Sequence, residues 1–382
     1  LHPRVRRQRQ MCIRDRLFAG MFVVGAALFH TGLAQKIGIG IVKISGTKES
    51  SLMFGIMVVS AALSSCLSNT GTAACLMPVV LGICAAAKIP ASRQLMPLAY
   101  AAGIGGVITM VGTPPNIIVS GVLTSFGYES FSFFEFAWIG IPLTFVVIAY
   151  MMFIGKYLLP KAELDADQEI EQEIEATVTD SKKQIVSGLI LAVCIIVMAL
   201  DLKAISLEMT AIVGALVCVL TGCLTEKQAY SAIDWVTIFL FAGMMPVSAA
   251  MDKTGAGKLI AEWAVSLMGG SPTPIIMTSV LFIISCTLTQ FMSNTAACAL
   301  LAPVGVAISQ QLGASPKAVL MAIGVAASCA FATPVGTPPC TLVLGPGGYK
   351  FMDYVKVGVP LVVLCFIVSI IVIPMVWPFF PG

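Results

Sequence analysis

The chain has 382 residues, of which 58% are hydrophobic and only 11% charged, with a mean hydropathy of +0.96. Soluble domains run nearer to about 45–50% apolar and about 25% charged, so a water-soluble globular protein is excluded. The net charge of +3 is too small for a nucleic-acid binder. Twelve cysteines scattered singly through apolar tracts give neither a disulfide framework nor a zinc site. The two histidines, His2 and His30, leave transition-metal and histidine-dependent catalysis short of parts. This is the composition of an all-α polytopic membrane protein.

In chain order, Arg4, Arg6, Arg7, Arg9, Arg14 and Arg16 crowd residues 1–16, with no signal-peptide cleavage pattern behind them. The uncharged tract 17–35 predicts a span, ending near His30, and 36–48 a charged cytoplasmic loop. Tract 50–87 exceeds the roughly 20 residues of one crossing and holds Ser68-Asn69-Thr70 near its middle, which predicts a re-entrant helical hairpin. Tract 94–128 holds Gly112-Thr113-Pro114-Pro115. Paired prolines remove two backbone donors and clash with the preceding turn, so a helix breaks there. Broken backbone inside a bilayer is tolerated only where protein buries it or it lines a polar cavity.

Tract 136–155 fits one crossing, and 161–183, with Glu163, Asp165, Asp167 and Glu169 among its acids, reads as a solvated cytoplasmic linker. Crossings follow at 184–200, 209–225 and 235–251. Ser271-Pro272-Thr273-Pro274 interrupts the next long tract, so a second hairpin is expected over 275–316 with Ser293-Asn294-Thr295 at its tip. A second broken helix over 318–349 carries Gly336-Thr337-Pro338-Pro339, and 357–382 is the last crossing. Trp138, Trp235, Trp263 and Trp377 fall near tract ends, as interfacial anchors do.

The chain repeats itself at an offset near 224: Leu17-Phe18-Ala19-Gly20-Met21 recurs as Leu240-Phe241-Ala242-Gly243-Met244, alongside the paired triplets and paired Thr-Pro-Pro breaks. The first repeat is 17–160 and the second 184–382. Five crossings between the hairpins put them on opposite membrane faces, so the repeats are expected to have inverted topology, an architecture of secondary transporters with the site at the midplane. Most lysines and arginines outside the leader fall on one side, with only Lys203, Lys253, Lys258 and Lys317 on the other. The positive-inside rule then puts the C-terminus outside. Ile13-Arg14-Asp15-Arg16 occupy the place of the apolar Val236-Thr237-Ile238-Phe239. That mismatch predicts an N-terminally truncated chain behind a leader foreign to the fold; a genuine basic juxtamembrane arm is the alternative.

Ser, Asn and Thr in mid-tract are costly in hydrocarbon unless satisfied, and mark a pathway. Each hairpin tip or break presents carbonyls where one helix ends and N–H groups where the next begins. The first suit a sodium ion and the second an anion. With no Lys or Arg close in sequence to either triplet, cations and helix ends must neutralise the anion. Four such features together would hold one anion and about two cations.

On these motifs the chain, from Leu17 to about Trp377, resembles the divalent anion/sodium symporters, which include bacterial di- and tricarboxylate carriers. The resemblance implies substrate contacts at Asn69, Thr70, Asn294 and Thr295, with Thr337 and Pro338 nearby, and Thr113 and Pro114 as their repeat equivalents. It implies one sodium among Ser64, Ser68, Asn69 and Gly112, and another among Thr289, Met292, Asn294 and Gly336. It further implies a homodimer in the bacterial inner membrane working as an elevator on succinate, malate, fumarate or citrate, with no cofactor beyond sodium. A carboxylate exchanger and a sulfate or other divalent-anion symporter are the alternatives. Cys340 stands where the first repeat has Asn116, a difference of packing or of selectivity. Glu129, Glu135 and Asp234 stand at tract edges, leaving no acid within the tracts for proton carriage. A serine hydrolase using Ser68 or Ser293 lacks a base within reach, and two occluding hairpins argue against a channel.

Overall fold

The computed structural model describes residues 3–45, 48–160, 181–200, 206–256, 259, 262–263, 266 and 273–380, and these are helical, with no strand among them. The expected linker over 161–183 lies outside the described residues up to 180; Ser181 opens the helix Ser181–Ala199. Pro3–His30 forms one helix, which runs through the described part of the segment expected to be foreign. His30 is its last residue, half a turn before a bend of 60° into Leu33–Ser45.

That second helix corrects the expectation of a loop over 36–48. Lys36 and Lys43 suggested a loop, but Ile37, Ile41 and Ile44 recur at helical spacing, and Ile37 packs on the core. Lys36 Nζ donates to Gln184 Oε1 at 3.3 Å, so its charge is anchored against the neighbouring helix.

A helix ends before each Ser-Asn-Thr triplet and another begins at its serine. Glu49–Ser64 and Asn69–Ala87 flank the first tip; Pro274–Thr289 and Asn294–Gln311 flank the second. The 16-residue arm Glu49–Ser64 is about 24 Å long at 1.5 Å per residue, short of a bilayer's hydrocarbon core of about 30 Å. Ser68 and Ser293 take extended backbone angles and cap the returning arms, their Oγ atoms accepting from Gly71 N and Ala296 N at 3.1 and 3.2 Å. Two further helix pairs flank the paired prolines. Leu95–Gly105 gives way to Pro114–Ser125, and Pro316–Ser328 to Pro338–Leu344, with the prolines at the first two positions of each new helix, where their missing N–H groups cost nothing.

The same hydrogen bonds recur in both halves. Ser60 Oγ donates to Leu98 O and Ser285 Oγ to Ile323 O, each at 3.0 Å. Thr109 Oγ1 donates to Ser65 O, and its counterpart Thr333 Oγ1 donates to Gln290 O at 2.6 Å. The halves interleave: Pro114–Ser125 packs on the second hairpin and Pro316–Ser328, while Pro338–Leu344 packs on the first hairpin and Leu95–Gly105. Tyr100 in the first half donates to Phe331 O in the second at 2.7 Å.

Two apolar cores result. The larger joins the hairpins, the breaks, Ala137–Leu158 and Phe351–Val376; a smaller one joins Val23, Val24, Ala27, Ile190, Cys194 and Cys218, in helices from the chain's start and middle. Apolar side chains such as Leu220 and Met375, 83% and 78% exposed, cover the outside, as on a surface facing lipid. Trp138, Trp235 and Trp263 are exposed, but Trp377 is buried and donates from Nε1 to Glu135 Oε1 at 2.7 Å. Its place near a tract end signalled an interfacial anchor; the bond to the half-buried Glu135, which also accepts from Ser132 N, gives its indole N–H a partner inside instead.

Candidate functional site

One cavity of about 310 Å³ gathers the motifs. Its wall takes Cys66 to Thr70 from the first tip, Ser293 to Thr295 from the second, Val111 to Pro114 and Gly336 to Pro339 from the breaks, and Met21, Phe22, Asp234, Val236, Thr237 and Leu240 from the helices opposite. Asn69, Thr70, Asn294, Thr295, Thr113, Pro114, Thr337, Pro338, Ser68, Gly112 and Gly336, separated by up to 270 positions in sequence, are thereby brought together. Ser64, Thr289 and Met292 are not on the wall. Ser64 and Thr289 lie buried behind the two asparagines, whereas Met292 is half-buried with its N–H bonded to Leu288 O at 3.1 Å.

Five helices begin at this cavity. Ser68, Thr113, Asp234, Ser293 and Thr337 are the N-cap residues of five separate helices, and all five line the wall. Capping by serine at each tip occupies the third N–H of the helix, so the N–H groups of Asn69 and Thr70, and of Asn294 and Thr295, precede the first intrahelical bond. At the breaks the first two positions are proline and carry no N–H, so the tips are the donor-bearing ends. No lysine or arginine is among the described residues of the wall, and helix ends supply its positive potential.

Behind each asparagine lies a cluster of oxygens. One terminal atom of the Asn69 amide sits 2.7 Å from Ser64 Oγ, 3.1 Å from Gly112 O and 3.2 Å from Ala102 O; as the amide nitrogen it shares its two hydrogens among these oxygens. Ser64 Oγ is itself 2.6 Å from Ala102 O. In the second repeat Thr289 Oγ1 lies 2.7 Å from Asn294 Oδ1 and 2.8 Å from Ala327 O. The two clusters are built from repeat-equivalent residues. They differ in what backs them, because Gln290 stands where the first tip has Ser65. Its amide donates to Cys286 O and Cys329 O at 2.9 and 3.2 Å and accepts from Ala332 N at 3.0 Å, tying the second tip to its break.

Asn116 is fully buried off the cavity wall and donates to Thr109 O at 2.8 Å, closing the first break; Cys340, in its place in the second, is also buried off the wall. Glu129 and Glu135 stand away from the cavity, 3.5 and 3.9 Å from Lys317 Nζ. Asp234 is exposed at the start of its helix, as its place in the sequence implied, but it also borders the same space as the triplets. The legible signal was its place just ahead of an apolar helix, where an aspartate caps. What the cap would face is a tertiary fact.

A family model described as citrate transporter matches residues 16–205 and 194–380. An uncharacterized transporter of Haemophilus influenzae is 32% identical over 370 residues, covering 92% of this chain and 78% of that protein. The sodium-dependent dicarboxylate transporter SdcS of Staphylococcus aureus is 26% identical, covering 96% and 76%. Among solved structures, the YdaH transporter of Alcanivorax borkumensis has the same fold at a TM-score of 0.64 and 16% identity, covering 97% of this chain and 89% of that one. A helical chain with lipid-facing sides and a central cavity where helices begin is thus an integral membrane transporter rather than an enzyme, and it belongs to the citrate transporter family, of the divalent anion/sodium symporter type.

Proposed function

We propose that this transporter couples sodium to the uptake of a di- or tricarboxylate of the succinate, malate, fumarate or citrate class. The observation that carries the reading is the convergence of two Ser-Asn-Thr tips on one cavity that has helix N-termini and no basic side chain among its described residues. Each tip offers one carboxylate two backbone N–H groups, an asparagine amide and a threonine hydroxyl. The oxygen clusters supply the cation sites: rotating the Asn69 amide by half a turn brings its oxygen alongside Ser64 Oγ, Gly112 O and Ala102 O, a neutral hard-ligand set suited to sodium. Asn294 with Thr289 and Ala327 O repeats the set. A bound cation behind each asparagine would then offset the charge of the carboxylate in front of it.

The same reading includes an elevator. The body holding the tips and breaks would slide past the smaller core as a unit, in a dimer whose C-terminus lies outside, with the repeats inverted about the midplane. The test is uptake of labelled succinate into proteoliposomes under sodium or choline gradients. Uptake is expected in sodium and not in choline; uptake indifferent to sodium removes the symport reading.

Cys66 gives a native reporter. It lines the cavity and is half-buried, whereas the other ten cysteines whose side chains are described are buried. Succinate with sodium is expected to slow maleimide labelling of this thiol, read as intact-protein mass, with Cys66→Ser assigning the adduct. Equal labelling rates with and without saturating succinate would place the ligand elsewhere.

A further inference from the structure

We infer that Asp234 limits the charge of the anion this cavity takes, favouring dianions over trianions; the inference rests on the carboxylate reading above. Among the described residues of the wall, Asp234 carries the only formal charge. The two helix N-termini at the tips are capped by serine and contribute only partial positive charge, about half an elementary charge each, and the two at the breaks begin with proline pairs that carry no N–H. The fifth cap is a full negative charge, which cancels its own helix end and opposes the substrate. It is also held in place. Oδ1 accepts from Thr237 N at 3.1 Å and Oδ2 from Thr237 Oγ1 at 2.5 Å, and Thr237 is buried.

A fixed carboxylate at this position acts on substrates in proportion to their charge. Two dianions of different shape meet the same repulsion, whereas a trianion meets half as much again. Across a protein cavity each additional substrate charge is disfavoured by up to about tenfold, less what solvent screens at the exposed rim where Asp234 sits. The tips bind carboxylates, and Asp234 decides how many charges may accompany them.

The experiment compares tricarballylate and succinate as competitors of labelled succinate uptake, in proteoliposomes, at a pH where both are fully ionised. Asparagine is as good an N-cap as aspartate, so Asp234→Asn removes the charge and keeps the helix start. In that variant the potency of the trianion relative to the dianion is expected to rise by up to about tenfold. Asp234→Glu, which keeps the charge, is expected to keep the wild-type ratio. Val236→Asp adds a second negative charge to the same wall at a position that favours acids, and is expected to move the ratio the other way. An unchanged ratio in Asp234→Asn overturns the inference; should that variant fail to fold, an unchanged ratio in Val236→Asp does so. Asn294→Ala, measured alongside, separates the two levels. Succinate competition at wild-type potency in it defeats the carboxylate reading and this inference with it. Weakened competition there beside an unchanged Asp234→Asn ratio defeats this inference alone.

Discussion

Alanine at Asn69 or Asn294 is expected to weaken sodium-dependent carboxylate binding by about 10-fold to 100-fold, since a hydrogen bond to a charged group contributes about 1.5–3 kcal/mol. The double variant should retain no measurable binding. Each asparagine faces the cavity on one side and an oxygen cluster on the other, so its loss removes a substrate donor and a cation ligand together. Ser64→Ala and Thr289→Val separate those roles, because these hydroxyls lie behind the wall. Both are expected to raise the sodium concentration for half-maximal uptake, while succinate affinity at saturating sodium stays near wild type. Isothermal titration in sodium and in choline measures all five variants. The serine caps remain in every one, so thermal midpoints should stay close to wild type. Binding by both asparagine variants at wild-type affinity would refute the assignment of the site.

The second large effect concerns folding. Gly105 ends the first half of a broken helix directly against the hairpin arm; a Cβ there would stand 2.5 Å from the Cα and O atoms of Ala61. The obstacle is backbone, which cannot rotate away as a side chain does. Overpacking in ordinary cores costs about 1–3 kcal/mol, and Gly105→Val should exceed that range by forcing two helices apart. Ala61 is three residues from Ser64, so the displaced arm also carries the oxygen cluster away from Gly112. The expected result is loss of a monodisperse peak on size-exclusion chromatography in detergent, or a large fall in thermal midpoint with no sodium response. A Gly105→Val protein melting like wild type would show that the arm does not sit where the close contact puts it.

Much of this was legible because the signals are local. Paired prolines break a helix whatever surrounds them, and a serine before Asn-Thr in an apolar tract caps the helix that follows; the breaks and tips therefore stand where the residues put them. Ser64 and Thr289 came from the resemblance, as repeat-equivalent hydroxyls, and both reach their asparagines. Met292, drawn from the resemblance rather than from its own chemistry, joins neither the cavity wall nor a described oxygen cluster. The misses come from reading charges as boundaries. Lys36 and Lys43 hid a helix, Trp377 near a tract end was taken for an anchor though it pairs with Glu135, and Asp234 was passed over as an edge residue. In each case a polar group met a partner or a space contributed by a distant part of the chain, which no window of sequence contains.

The exchange of helices between the halves has a mechanical corollary. Because Pro114–Ser125 is lodged against the second hairpin, and Pro338–Leu344 against the first, neither tip can be withdrawn without dragging its opposite number along. The grips on the two ends of a passenger therefore share one chassis, and a lesion that loosens either half slackens both.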